Sequence, residues 1–275
     1  MMLWFGLILA AIGGALLYFS GQAANRVLHM KMTDTSKVGD LFALAKEVSG
    51  DLGGGPSELR EFVEIKGKVG CDRPVTGELS GESAAITRTS VDREYEQLEV
   101  EEDSEGNRTE RWVSKRDQVN SSKLEAPFYI DDGTGRIQVR PSGAALTLRT
   151  VVDKFEPADA VSNGRSASFG ALSFHIGPGR AISRTYRVKG YRYREEVLGL
   201  GDQVYALGEF SDTSDGKALH KPTDKDKPFV LSTKSEEEIV GAGESQAKWM
   251  KLGGLGLAAI GALLVVIGAV RMVLG

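Results

Sequence analysis

Two runs at the ends of the chain show no alternation of apolar and polar positions. Residues 3–19 (LWFGLILAAIGGALLYF) and 252–270 (LGGLGLAAIGALLVVIGAV) are apolar on every helical face, and no charged residue precedes Arg26 or follows Lys251 except Arg271. At about 1.5 Å per residue, runs of this size span roughly 25–30 Å, the depth of a bilayer's hydrocarbon layer. The pattern predicts transmembrane helices at 1–25 (with its flank) and 252–271. Trp4 and Tyr18 stand where interfacial aromatics belong. A cleaved signal peptide is the rival reading of the first run, because Gly21-Gln22-Ala23 offers small residues at a cleavage spacing. No Lys or Arg precedes that run and it is long for a signal, which favours a retained anchor.

Between the two runs the period changes twice. Val38, Leu41, Phe42, Ala45 and Val48 recur at helical spacing, so an amphipathic helix is expected over 34–50, capped by Thr35 or Ser36. Gly53-Gly54-Gly55-Pro56 breaks it; no strand precedes and no Gly-Lys-Ser/Thr follows, so this is a linker and not a phosphate loop. From residue 59 the apolar positions alternate in short strands: 59–70, 84–90, a hairpin over 93–116, and a hairpin over 127–141 turning at Asp131-Asp132-Gly133-Thr134-Gly135. Two further strands in 185–212 meet at Gly199-Leu200-Gly201-Asp202, and Ser235 with Glu238 forms a capping box for a helix entering the second span. The fold class expected is mainly β, a compact barrel or sandwich with an OB-like core, between two transmembrane α-helices. Its parts are a β domain over 57–235 and a helical connector over 236–251.

Small residues recur every four positions in both spans: Gly6, Ala10 and Gly14, then Gly254, Ala258 and Ala262. That spacing lines one helix face, and these six residues are the expected packing face of the spans.

Charge then sets the orientation. All 38 acids and 33 of the 34 bases lie in 26–251, net −5. Arg26, Lys31, Lys37, Lys248 and Lys251 flank the spans on the body side, against Arg271 on the other. The positive-inside rule therefore predicts a cytoplasmic body with both termini outside. The acidic balance argues against nucleic acid as a partner, although Tyr191-Arg192-Tyr193-Arg194 would suit stacking and phosphate contacts in an OB-like, nucleic-acid-binding membrane protein.

Catalytic chemistry finds little support. There is no Gly-x-Ser-x-Gly, His-Glu-x-x-His or Walker loop, so no catalytic, cofactor-binding or metal-binding residues are assigned and no cofactor is expected. His175 lies in an apparent strand as a structural residue, and Cys71 beside Arg73 lacks a paired base. The acidic tip over 99–105 lacks the spacing of a calcium loop.

Three ordered blocks carry a family resemblance: EFVEIKGKVGCDRPVTGELSGESAAITRTSVDREYE (61–96), PFYIDDGTGRIQVRPSGAAL (127–146) and YREEVLGLGDQVYALGE (193–209). Together they resemble the GIDE, or beside-a-membrane (BAM), domain of membrane-anchored mitochondrial E3 ubiquitin ligases. The resemblance covers roughly 60–210 plus the flanking spans, and it implies a RING-type ubiquitin transferase. A RING takes eight Cys/His ligands for two zinc ions, whereas this sequence holds Cys71, His29, His175 and His220. The function expected is thus a membrane-anchored interaction or sensing module, a scaffold for a protein partner. A ubiquitin-type transferase is the alternative that the family label implies.

Overall fold

A computed structural model describes residues 2–51, 55–102, 106–158, 166–169, 172–175 and 182–274. Among the described residues, three helices, α1 (Met2–Met32), α2 (Val38–Asp51) and α3 (Glu236–Leu274), accompany fifteen strands. These are β1 (Arg60–Gly70), β2 (Val75–Thr76), β3 (Ser83–Glu102), β4 (Arg108–Glu125), β5 (Phe128–Asp131), β6 (Arg136–Val139), β7 (Ala145–Thr147) and β8 (Arg149–Pro157), then β9 (Ser166–Phe169), β10 (Leu172–His175), β11 (Ile182–Ser183), β12 (Tyr186–Gly199), β13 (Gln203–Thr213), β14 (Gly216–His220) and β15 (Val230–Ser232). The chain is mainly β. One sheet runs β1-β5-β6-β14-β13-β15-β7, and a further β1–β13 pairing closes its first five strands into a barrel. The other runs β11-β12-β3-β2, with β4 on β3 and β8 on β12, and stays open as a half-barrel.

The chain divides into two compact units: Met1–Lys66 with Arg140–Leu146 and Val204–Gly275, and Gly67–Val139 with Thr147–Gln203. In the first, α1 and α3 lie antiparallel, and α2 buries Val38, Leu41 and Ala45 while Phe42 stacks 6.2 Å from Phe210. Strand β13 is buried from Val204 to Asp212, which is why both of its faces carry apolar residues instead of alternating.

In the second unit, the sequence expectation of separate strands at 84–90 and 93–102 gives way to one 20-residue strand, β3. Asp92-Arg93 reads as an interruption, but the ladder absorbs it through a register shift between Val91 and Asp92, paired to Asn120 and Gln118 of β4. Arg93 keeps its place by a two-pronged ion pair with Asp117 on β4, Nε 3.0 Å from Oδ1 and the second nitrogen 2.5 Å from Oδ2. Leu79, Val91, Tyr191 and Tyr193 form the core here, with Val152 and Val188 against them.

The β5–β6 hairpin turns where expected. Asp132 Oδ1 accepts from the amides of Thr134 (2.9 Å) and Gly135 (3.0 Å), and Gly133 takes φ +83°, a left-handed value that glycine tolerates without strain. The expected linker glycines Gly53 and Gly54 and residues 103–105 of the acidic tip lie outside the described residues.

Candidate functional site: the helix pair and the strands it grips

The helix pair is built on glycine. A methyl group added at Gly13 would lie 2.6 Å from the Ala258 nitrogen and 2.8 Å from the Gly254 oxygen; one at Gly6 would lie 2.8 Å from the Gly261 oxygen; one at Gly261 would lie 2.5 Å from the Ala10 nitrogen. Backbones this close leave no room for a side chain. Of the six residues expected to form a packing face, Gly6 and Gly254 sit in this crossing and Ala10 and Ala258 border it. Gly14 and Ala262 do not: nothing lies within 4 Å of a methyl at Gly14, and Ala262 is exposed. The positions in their place, Gly13 and Gly261, follow a spacing of seven, seen in the buried series Gly6, Gly13, Ser20, Val27 and in Gly254, Gly261. Four residues overshoot a helical turn by about 40°, so a stripe of fours slides off the contact line, whereas seven residues fall short of two turns by only about 20°.

Both helices outlast their apolar runs. α1 has 31 residues and α3 has 39, about 46 and 58 Å of helix, and both are long and apolar enough to cross a membrane. Their body-side ends enter the core of the first unit. Met30, 2 % exposed, packs with Tyr205, Leu207 and Val230, and Phe62, Ile239 and Val240 close over the cluster. α3 starts at the expected capping box: the Ser235 amide donates to Glu238 Oε2 at 3.0 Å, and the Glu238 amide donates to Ser235 Oγ at 3.3 Å.

A polar clasp joins the same elements. Glu64 on β1 is buried; its Oε1 accepts from Thr35 Oγ1 at 2.5 Å and pairs with Lys66 Nζ at 3.0 Å, and the Ser36 amide donates to the Glu64 carbonyl at 2.8 Å. Thr35 thus ties the α1–α2 connection to β1. Lys66 also donates to Glu236 of α3 at 2.7 Å. That bond and the Glu64 charge hold the Lys66 ammonium above its usual value despite partial burial. Burial, reinforced by the neighbouring Glu64 charge, pushes the Tyr205 phenol far up, so it stays neutral.

A second cluster had no signal in the sequence. On β13 and β14, Glu209 lies opposite His220; His220 Nε2 is 2.8 Å from Ser211 Oγ, and Nδ1 is 2.8 Å from the Lys221 carbonyl oxygen. The arrangement has the elements of a serine–histidine pair, but Ser211 is 2 % exposed, so its hydroxyl is not presented to a substrate. The pair staples two strands.

Asp212 ends this series. Burial alone would raise its carboxyl, but the Ser57 amide (3.2 Å), the Ser57 hydroxyl (2.7 Å) and the Lys217 ammonium (3.2 Å) outweigh burial and hold it below the ordinary carboxylate value. Glu209 is lowered likewise, its burial being outweighed by Thr223 and Arg60. A lowered folded value favours the ionised, folded form: the stabilisation is complete above the unfolded value and is lost as pH falls through the folded one. Stability of the full chain in mild detergent is therefore expected to be flat from pH 7 to about 5 and to fall below about pH 4. Asp212→Asn should flatten that acid limb, as read by thermal melts across pH; an unchanged limb would exclude Asp212 as a contributor.

The family described as "GIDE: E3 Ubiquitin ligase" matches residues 96–267, more than half of the chain. The chain belongs to the GIDE family. It is similar to the E3 ubiquitin-protein ligase SP1 of Arabidopsis thaliana, 27 % identical over 256 residues that cover 91 % of this chain and 65 % of that protein. It is also similar to the E3 ubiquitin-protein ligase SPL1 of the same plant, 25 % identical over 217 residues that cover 76 % of this chain and 59 % of that one. The GIDE chain thus spans less than two thirds of the length of either relative. No solved structure matches it. The GIDE match begins at Glu96 in β3 and ends at Ile267 in α3, so it takes in part of the half-barrel, β13 and the second apolar helix.

Proposed function

We propose that this chain is a membrane-anchored protein-interaction or sensing module related to the GIDE-type E3 ubiquitin ligases, working without a RING of its own. Residues 26–251 face the cytoplasm and both termini lie outside. The observation that carries the reading is the shared core of Met30, Tyr205, Leu207, Val230, Ile239 and Val240. The two apolar helices share this core with β13 and β15 of the first unit, so a protein bound to that unit is held at a fixed height beside the bilayer. The four Cys and His residues of the sequence are half of what a RING takes.

Photo-cross-linkers placed at exposed Ser121 and Lys225 in the body and at Leu263 in the second span test the interaction. Protein adducts are expected from the two body positions and lipid adducts from Leu263; body positions that yield no reproducible protein adduct would refute a binding role. Sidedness is tested in a Cys71→Ser background carrying Thr109→Cys on β4. A membrane-impermeant maleimide is expected to leave this thiol unmodified in intact cells, and rapid labelling would reverse the orientation.

The ligase names of the family and of the two Arabidopsis relatives favour a second reading, a ubiquitin-type transferase. Cys71, the only thiol, donates to the Pro127 carbonyl at 3.3 Å. Incubation with activated ubiquitin and a non-reducing gel should show no thioester on Cys71, and an adduct there would favour transfer.

A further inference from the structure

Where the apolar part of the helix pair gives way to its polar end, three cations have no acid to answer them. The antiparallel contacts set the depths: Gly13 meets Gly254 and Ala258, Gly254 meets Leu17, and Gly243 meets Val27, so residues whose numbers add to about 270 lie level. On that scale Lys251 is level with Phe19, Lys248 with Gln22 and Arg26 with Glu244. At about 1.5 Å per residue the three cations span a band about 10 Å deep. α1 carries no acid, and α3 carries none after Glu244. Glu244 is committed to Lys31, with which it forms an ion pair. Further into the body, Lys66 is likewise claimed by Glu64 and Glu236. Arg26, Lys248 and Lys251 are exposed and form no ion pair among the described residues.

The same band holds the aromatics of a bilayer interface. Tyr18 is 65 % exposed and Trp249 is 69 % exposed, both on the outer surface of the helix pair and level with Lys251 and Lys248. Such rings settle at the headgroup layer, which fixes the depth of the cations beside them. Lysine and arginine there extend along their apolar stems toward the phosphates.

We infer that Arg26, Lys248 and Lys251 form a binding belt for anionic phospholipid headgroups, with lipid phosphate as the counter-charge that the protein omits. This rests on the reading of α1 and α3 as membrane spans and adds to it a choice among lipids. A zwitterionic headgroup brings its own cation to the belt, whereas phosphatidylglycerol brings net negative charge. Each Lys or Arg at such a surface favours anionic lipid by about fivefold, and salt weakens the effect.

Native mass spectrometry of the full chain, released from mixed phosphatidylcholine–phosphatidylglycerol micelles, tests this. Wild type is expected to retain phosphatidylglycerol about a hundredfold over phosphatidylcholine, with the ratio falling as salt rises. Each of Arg26→Gln, Lys248→Gln and Lys251→Gln should reduce the ratio about fivefold. The triple variant should retain both lipids equally, while Lys225→Gln, on a loop of the body, keeps the wild-type ratio. No preference in wild type, or a triple variant with the wild-type preference, overturns the belt. Flotation with pure phosphatidylcholine vesicles separates the two readings: a chain that floats without lipid preference loses only the belt, and one that does not float loses the anchor as well.

Discussion

Glu195→Ala is expected to destabilise the protein by about 3–5 kcal/mol, enough to lower a detergent melting temperature by roughly 10 °C. Glu195 is fully buried on β12, and its carboxylate accepts from the Leu79 amide at 2.8 Å, the Ser80 amide at 3.0 Å, the Ser80 hydroxyl and the Thr89 hydroxyl at 3.2 Å. Truncation removes the acceptor of two backbone amides and two hydroxyls, of which the Leu79 amide and the Thr89 hydroxyl belong to buried residues. Gly77 packs so close that a methyl on it would lie 2.4 Å from Glu195 Oε1, so the turn around residues 77–80 is moulded on this carboxylate. Glu195→Gln should cost nearly as much, because one acceptor becomes an NH₂ group aimed at donors. A change under about 1 kcal/mol for the alanine variant would mean that the carboxylate does not organise the turn.

Gly13→Leu is expected to force the helix pair apart. Its first side-chain atom would stand 2.6 Å from a backbone nitrogen and 2.8 Å from a backbone oxygen of α3, and neither can move without shifting that helix. Overpacking of this kind costs about 1–3 kcal/mol, and a clash with backbone falls at the upper end. Gly14→Leu supplies the matched comparison: the same chemistry one residue along, on an open surface, with little effect expected. Melting curves of both variants in one detergent decide the matter. Equal losses would show that the helix itself, and not the crossing, resists leucine.

The two predictions differ in how far the sequence could reach. Gly6 and Gly254 were legible as small residues in an apolar helix, but the register was not. Spacings of four and of seven both occur in these runs, and only contact between the backbones selects seven. Glu195 gave no sign at all. It sits in a strand between Arg194 and Glu196, where a charged run reads as a solvated face. What buries it is a partner 116 residues away, the Leu79 amide. Ser211 and His220 were hidden similarly, because opposition across β13 and β14 is a matter of register.

The features determined by sequence alone are those whose physics is local. Two uncharged runs long enough to cross hydrocarbon, the Asp131–Gly135 turn and the Ser235–Glu238 capping box each depend on residues within one helix or hairpin. The ordered blocks that identified the family were also readable, because they preserve the order of such local pieces. Tertiary structure decided the remainder: closure of five strands by the β1–β13 pairing, the burial of Glu195, and the clasp of Lys66 between Glu64 and Glu236. Each needs residues distant in the chain to meet at hydrogen-bonding distance. The energy of those meetings comes from excluding water around them, which no single segment can do by itself.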